Sequence, residues 1–216
     1  ELEGDPSVRG MVLASSNPKI FSAGLDLKEL VDPDPVRLHA FWTEMQLLCQ
    51  DLFLSPLATV AAIHGHSPAG GCVLALTCDA RVMRSGGPKI GLNETQLGLD
   101  APWWICDLLA RTVGDARSEQ MLQRGSLVDA DSAAAIGLVD DAAPSAEEVD
   151  ALAARHMKAL LAVPDTARAR VKAARRARLG DAMRSGTAEG ADWFVGAVTS
   201  AELQGFLQAY VASLKK

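Results

Sequence analysis

One glycine-rich segment could present backbone N–H groups to a developing negative charge. In residues 64–78, HGHSPAGGCVLALTC, glycines separate an apolar run over 56–63, typical of a buried strand, from an apolar helix. The first turn of a helix leaves its N–H groups unpaired and favours negative charge. The N–H of Gly70 or Gly71 could therefore hold the oxygen of a thioester as it becomes an enolate. Alternatively, these glycines only allow a helix to pack closely on a sheet.

The same segment nearly matches the G-x-S-x-G motif of serine hydrolases, with Ser67 as the nucleophile. That motif needs the backbone N–H of the residue after the serine, and this residue is Pro68, which has none. The only later histidine is His156, in a predicted surface helix. A hydrolase is therefore the less favoured hypothesis.

The elements that must position these turns alternate between strands and helices. A second turn of small residues, 21–27 (FSAGLDL), follows the first predicted strand, and Asp26 could cap the short helix after it. Strands are predicted over 8–14, 56–63, 80–83 and 138–139, and helices over 36–54, 70–78, 105–113, 116–123, 129–136, 146–162, 165–179 and about 187–213. This order predicts an α/β core followed by a helical region.

Composition excludes several classes of protein. The chain of 216 residues is 49% hydrophobic, which is enough for one domain with a real core, with or without an appendage. Its apolar runs are too short for a membrane span, and a net charge of −6 argues against nucleic-acid binding. The four cysteines lack zinc-site spacing, so we expect reduced, buried thiols and no metal.

Two further features leave alternatives open. Trp103 and Trp104 could wall an apolar acyl pocket or pack in a core or interface. A basic run follows in the helical region, comprising Arg168, Arg170, Lys172, Arg175, Arg176 and Arg178. It is interpreted first as a solvated helix face, second as a clamp for the phosphates of a nucleotide-bearing substrate, and third as a nucleic-acid site.

Three segments in this order resemble the crotonase, or enoyl-CoA hydratase/isomerase, superfamily: 21–27, SPAGGCVLALTCD over 67–79, and IGLNETQLGL over 90–99. The resemblance spans about residues 8–140, and NETQLG with SPAGGC is similar to the mitochondrial-type Δ3,Δ2-enoyl-CoA isomerases. It implies an α/β spiral of ββα units over 1–143, with the first units apparently missing. It also implies a carboxy-terminal helical region, 144–216, that packs between the subunits of a trimer.

The resemblance also implies the roles of individual residues. The backbone N–H groups of Leu25 and Gly70 would form the oxyanion hole, Glu94 would be the base, and Asn93 would contact substrate. The acyl-CoA site would further be lined by Ala23, Gly24, Leu25, Asp26 and Leu27. Apart from the resemblance, Glu94 could be a surface glutamate, but its apolar neighbours suggest partial burial, which would raise its pKa.

One carboxylate is enough for an isomerase, because it can take a proton from C2 of a 3-enoyl-CoA and return one at C4. The resemblance implies that hydratases use a second glutamate, at the position of Val73, and valine cannot exchange a proton. Asp100 is the other carboxylate near the motif. It could be a second acid/base group, a solvated loop residue, or a cap for the helix beyond Pro102.

The resemblance thus implies an isomerase of fatty-acid β-oxidation that converts 3-enoyl-CoA to trans-2-enoyl-CoA. No metal or redox cofactor is expected, since CoA arrives as part of the substrate. The expected assembly is a homotrimer in the mitochondrial matrix, or in the cytoplasm if the protein is bacterial. The alternatives are an enoyl-CoA hydratase and a non-catalytic acyl-CoA-binding protein of the same fold.

Overall fold

The computed structural model describes residues 2–213, so residues 1 and 214–216 of the predicted regions lie outside the described part. The strands are β1 (Gly10–Leu13), β2 (Ala58–Ile63), β3 (Ser67–Pro68), β4 (Ala80–Arg84), β5 (Lys89–Gly91), β6 (Val128–Asp129) and β7 (Asp141–Ala143). The helices are α1 (Pro35–Leu54), α2 (Gly70–Thr77), α3 (Trp103–Val113), α4 (Asp115–Arg124), α5 (Ala130–Ala135), α6 (Ala146–Leu161), α7 (Asp165–Ser185), α8 (Thr187–Val198) and α9 (Ala201–Ser213). The α/β prediction is confirmed.

The core is a parallel sheet of four strands in the order β1-β2-β4-β7. The central strand β2 is buried along its whole length. Its alternate residues face opposite sides: Val60 and Ala62 pack with helix α6, while Ala61 and Ile63 join the larger core beneath the other helices. The continuous apolar run that predicted this strand therefore reflects burial on both faces.

A second, smaller sheet links the turn before α2 to the segment before Glu94. Strand β3 pairs in parallel with β5, and β5 pairs antiparallel with β6. The register places Pro68 opposite Gly91, so the turn before α2 lies beside the segment that leads to Glu94.

Polar caps at several helix starts agree with the local sequence. The Asp34 carboxylate accepts a hydrogen bond from the Arg37 N–H at the start of α1, where Pro35 occupies the first turn. Asp26 accepts from the Lys28 N–H and caps a 3-10 helix over Leu27–Glu29, as the sequence predicts. Such caps satisfy N–H groups that a helix leaves unpaired.

The strand predicted over 138–139 is wrong. Leu138 and Val139 are fully buried, but their N–H groups donate to the carbonyl of Ala133 and close the end of α5. The strand β7 begins two residues later, at Asp141. An apolar pair marks burial, but it does not distinguish a strand from a buried turn.

The basic run of α7 is divided between the core and solvent. Neither of the two interpretations made from the sequence, a solvated helix face or a phosphate clamp, therefore describes the whole run. Lys172 and Arg176 lie one turn apart and approach the Asp79 carboxylate at 3.0 Å and 2.8 Å. Arg168 donates to the Pro56 carbonyl in the same direction. The exposed members are Arg170, Arg175 and Arg178. The inward residues fasten α7 to the core.

Over residues 2–213, no helix combines the length and the apolar character needed to cross a membrane. The same residues contain no cluster of three His, Cys, Asp or Glu side chains that could hold a metal ion.

Candidate active site

The two glycine-containing turns meet in space. The Phe21 N–H donates to the His66 carbonyl at 2.8 Å, and the His66 N–H donates to the Lys19 carbonyl at 2.9 Å. These bonds lay the segment before Gly24 alongside the segment before α2. Gly24 has a φ of +88°, and a Cβ built on it would lie 3.0 Å from the Gly70 nitrogen. The close approach therefore needs a residue without a side chain.

Two N–H groups at this junction have no partner of their own. Gly70 is the first residue of α2, so its N–H has no acceptor within the helix. Within the described residues, neither this N–H nor that of Leu25 donates to another group. The turn is held by the preceding residue, Ala69, which adopts a φ of +49° and donates to the Gly91 carbonyl at 2.9 Å. The junction thus offers unpaired donors to a ligand oxygen.

Glu94 begins a 3-10 helix, Glu94–Leu97, which we call the Glu94 turn. Its next two residues anchor it: the Thr95 hydroxyl donates to the Leu122 carbonyl at 2.9 Å, and the Gln96 amide donates to the Gly125 carbonyl at 2.8 Å. These contacts with the end of α4 give Thr95 and Gln96 of the NETQLG motif a structural role, namely to hold the Glu94 turn against α4. The motif therefore anchors the turn that carries Glu94.

The Glu94 carboxylate is half-buried and incompletely paired. Its Oε2 atom is buried and has no hydrogen-bond partner among the described residues. Burial raises the pKa of Glu94 above its usual range, because a carboxylate loses hydration away from water. A carboxylate in this state can accept and release a proton.

A cavity of about 320 Å³ joins the Glu94 turn to the meeting point of the glycine turns. Its walls are mainly apolar, with contributions from Leu30, Trp42, Met45 and Ile105. A cavity of this size, apolar and with few polar groups, is typical of a small-molecule site.

Six of the eight predicted site residues line this cavity: Ala23, Leu25, Leu27, Gly70, Asn93 and Glu94. The structure does not bring Gly24 or Asp26 to the wall. Gly24 packs against Gly70, and the Asp26 side chain faces the backbone of Lys28. Their roles are therefore in shaping the turn that carries Leu25.

Val73 and Asp100 also line the cavity, in different surroundings. Val73 is 1% exposed and presents an apolar wall. Asp100 is exposed at the rim. It does not cap the next helix, because α3 begins after Pro102 without a side-chain cap. Glu94 is thus the half-buried carboxylate of the cavity, and Asp100 is a solvated one.

The tryptophan that lines the cavity is neither member of the adjacent pair considered from the sequence. Trp104 is buried in the core, and Trp103 is 48% exposed; neither lines the cavity. Trp42 of α1 does, and its ring stacks on Phe194 of α8 at 3.8 Å between ring centres. Helical periodicity indicates that Trp42 faces inward, but no sequence signal connects Phe194 to this site.

Ser67 is not arranged as a hydrolase nucleophile. Its hydroxyl is fully buried and has no hydrogen-bond partner among the described residues. The adjacent His66 ring accepts from the Lys89 N–H, and His156 pairs with Asp141. No described histidine activates the serine, so the hydrolase hypothesis has no geometric support.

Comparisons with known proteins agree with this geometry. The family model for enoyl-CoA hydratase/isomerase matches residues 1–216. The chain is 41% identical over 220 residues to the mitochondrial enoyl-CoA delta isomerase 1 of Homo sapiens, covering 100% of this chain and 72% of that protein. The corresponding Rattus norvegicus protein is 37% identical over 217 residues, with 100% and 75% covered.

A solved structure, that of human mitochondrial delta3-delta2-enoyl-CoA isomerase, superposes with a TM-score of 0.96 at 39% identity. The superposition covers 99% of this chain and 83% of the human chain. An enoyl-CoA hydratase from Bacillus halodurans has the same fold, with a TM-score of 0.86 at 23% identity and 96% and 84% covered. From the family match, the relatives and the shared fold, the chain belongs to the enoyl-CoA hydratase/isomerase family.

Proposed function

We propose that this protein is a Δ3,Δ2-enoyl-CoA isomerase that converts 3-enoyl-CoA to trans-2-enoyl-CoA. The observation that carries the proposal is the incompletely paired, half-buried carboxylate of Glu94 in the apolar cavity that also meets the two glycine turns. The human and rat relatives, whose names describe enoyl-CoA delta isomerases, support the same assignment.

The reaction is a proton transfer on one face of the substrate. The Glu94 carboxylate removes a proton from C2, and the electron pair moves onto the thioester oxygen to form a dienolate. The N–H groups of Leu25 and Gly70 stabilise this oxygen, at about 3 kcal/mol for each donor. Protonated Glu94 then returns a proton at C4, and the electrons re-form the thioester carbonyl with a double bond between C2 and C3.

The raised pKa of Glu94 suits both halves of this cycle. A carboxyl group whose pKa lies nearer neutrality binds the C2 proton more readily and still releases it at C4. The remaining substrate contacts are assigned to the cavity wall at Ala23, Leu27 and Asn93. No electrons are exchanged with an acceptor, so the reaction needs no redox cofactor, and CoA enters as part of the substrate.

An enoyl-CoA hydratase is the second candidate, since one solved structure with the same fold is a hydratase. Hydration must position a water and deliver a proton, and the apolar Val73 provides neither function in the cavity wall. A non-catalytic acyl-CoA-binding protein is the third candidate. Formation of 3-hydroxyacyl-CoA from 2-enoyl-CoA would support the hydratase, and binding without turnover would support the binding protein.

The decisive experiment compares Glu94→Gln with Asp100→Asn. The first variant should abolish conjugation of 3-enoyl-CoA, measured by absorbance, while acyl-CoA affinity stays within a few-fold of wild type. The second removes the solvated carboxylate at the rim and should retain most of the activity. Full activity of Glu94→Gln would refute the mechanism. Loss of activity in Asp100→Asn alone would assign the acid/base role to Asp100 instead of Glu94.

We infer the wider setting from the family relatives. The human and rat relatives are mitochondrial by name, which supports β-oxidation of fatty acids in the mitochondrial matrix, or in the cytoplasm if the source is bacterial. The division into a core over 1–143 and a helical region over 144–216 that assembles a homotrimer is part of this proposal. Sedimentation of the purified protein tests the trimer.

A further inference from the structure

The last helix, α9, contacts the Glu94 turn and the segment 30–32, which lies just after the turn that carries Leu25. Its side chain Gln204 reaches the segment 30–32, which directly follows the Leu27–Glu29 helix. This helix ends the small-residue turn over residues 21–27 that carries Leu25, which we call the oxyanion turn. Six residues further along the helix, Tyr210 contributes to the cavity wall. A single helix therefore lies across two parts of the site that are about 70 residues apart in the sequence.

The Gln204 amide makes three hydrogen bonds. Its nitrogen donates to the Leu30 carbonyl at 2.8 Å and to the Val198 carbonyl at 2.7 Å. Its oxygen accepts from the Asp32 N–H at 2.9 Å. Both protons of the amide nitrogen are thus used, so no other side chain of this size except an amide could reproduce the pattern.

The clamped segment is in an unfavourable conformation and borders the cavity. Asp32 has a φ of +46°, a region that residues other than glycine seldom adopt. Leu30 is 3% exposed and lines the cavity. The Gln208 amide also donates to the Asp32 carboxylate, at 3.2 Å. Strained backbone persists only where surrounding contacts hold it, and here α9 provides those contacts.

The same helix packs on the Glu94 turn. Gly98 ends this turn with a φ of +76°, and a Cβ built on it would lie 2.9 Å from the Phe206 ring. The Leu99 N–H donates to the Glu94 carbonyl at 3.1 Å. The chain next to Gly98, on which Phe206 packs, is therefore hydrogen-bonded to the Glu94 turn. Movement of α9 would therefore loosen the turn that directs Glu94.

We propose that Gln204 is a positioning residue that holds the oxyanion turn in register with the Glu94 turn, through the span of α9 from Gln204 to Phe206. The inference rests on the proposed isomerase function, and it adds a residue outside the catalytic groups. Gln204 acts on the reaction through Leu30 and the turn that carries Leu25.

The Gln204→Leu variant keeps the side-chain volume but removes all three hydrogen bonds. We expect kcat to fall about tenfold, because displacements well under 1 Å lower catalysis to this extent. Substrate KM should change much less, because the apolar walls of the cavity remain. Amide hydrogen exchange should rise in both segments, 27–32 and 94–99.

The pH profile separates positioning from a general loss of stability. A loosened α9 admits water to Glu94, so its raised pKa should fall and the acid limb of kcat/KM should shift to lower pH. Among the described residues, the thiols of Cys72 and Cys106 interact electrostatically with Glu94, and Asp100 and Tyr210 line the same cavity. None of these is changed by the variant.

Gly205→Ala is the matched control on the same helix, because an added methyl group there meets nothing within 4 Å. It should leave kcat, the acid limb and hydrogen exchange in segments 27–32 and 94–99 unchanged, although the added alanine can stabilise α9 itself. If Gln204→Leu does not fold, Gln204→Glu is the second variant, since it keeps the acceptor for Asp32 but turns an anionic oxygen toward two carbonyls. It should reproduce the fall in kcat.

Wild-type kcat and an unshifted acid limb in a folded Gln204 variant would overturn the inference, as would a loss of activity proportional to the unfolded fraction. The proposed function fails by a different result, namely no isomerisation by the wild-type protein. In that case hydrogen exchange still tests the clamp: an increase confined to α9, with none in 27–32 or 94–99, would overturn it.

Discussion

Replacement of Gly70 by alanine tests whether the meeting point of the two turns is an oxyanion hole or only a site of close packing. The added Cβ would lie 3.1 Å from the Gly24 Cα, and 3.6 Å from both the Gly24 carbonyl carbon and the Met45 methyl group. Carbon atoms in favourable contact lie about 3.5–4.0 Å apart. Gly24 must therefore retreat by roughly 0.4 Å to reach that range, and it carries the Leu25 N–H with it.

The size of the effect follows from this displacement. Complete loss of an oxyanion donor lowers kcat by about 10²–10³, and a 1 Å misplacement costs about 10². A shift of roughly 0.4 Å in one of two donors should therefore lower kcat about tenfold. Stability should change by less than about 1 kcal/mol, because alanine is the better helix former and offsets part of the crowding.

The assay is the absorbance of the conjugated product from 3-enoyl-CoA, together with thermal unfolding of each variant. Gly196→Ala is the matched control, since an added methyl in α8 meets nothing within 4 Å, and it should raise stability by about 0.5–1 kcal/mol at unchanged kcat. Wild-type kcat in a folded Gly70→Ala protein would refute the oxyanion assignment. A loss of stability that accounts for all lost activity would instead favour the packing interpretation.

Three further predictions concern stability, pH and substrate length. Asp79→Asn removes the anion between two buried cations of α7, and should lower the free energy of unfolding in urea by about 3–5 kcal/mol; a change below about 1 kcal/mol would contradict the buried network. Because Glu94 must be ionised to act as a base and burial raises its pKa, kcat/KM should fall as pH decreases through a value above the ordinary glutamate range; an acid limb near about 4.3 would contradict this assignment. Phe194→Leu removes the ring stacked on Trp42 and should raise kcat/KM for long acyl chains relative to short ones; an unchanged ratio across a chain-length series would show that this pair does not limit the cavity.

Much of the fold follows from local sequence patterns. The buried strand β2, the amphipathic helix α1 and the helix α2 that begins at the Gly-Gly pair are each predictable, because burial and helical periodicity are recorded in the order of apolar residues. Two exceptions show the limit of such patterns. The apolar pair at 138–139 is buried without being a strand, and two of the six basic residues on α7 face inward to Asp79. A side-chain pattern records that a residue is buried or charged, but it does not record its partner.

The sequence by itself determined the local chemistry of the candidate site: a helix start with unpaired N–H groups at Gly70, a small-residue turn before Leu25, and one carboxylate, Glu94, within an apolar stretch. Only the tertiary structure decided that these three features border one cavity, that an oxygen of Glu94 has no partner there, and that α8 and α9 complete its wall. The physical reason is that these relations depend on contacts between segments far apart in the chain. Local propensity acts over a few residues, whereas the burial and orientation of a reactive group are set by whichever distant elements pack around it.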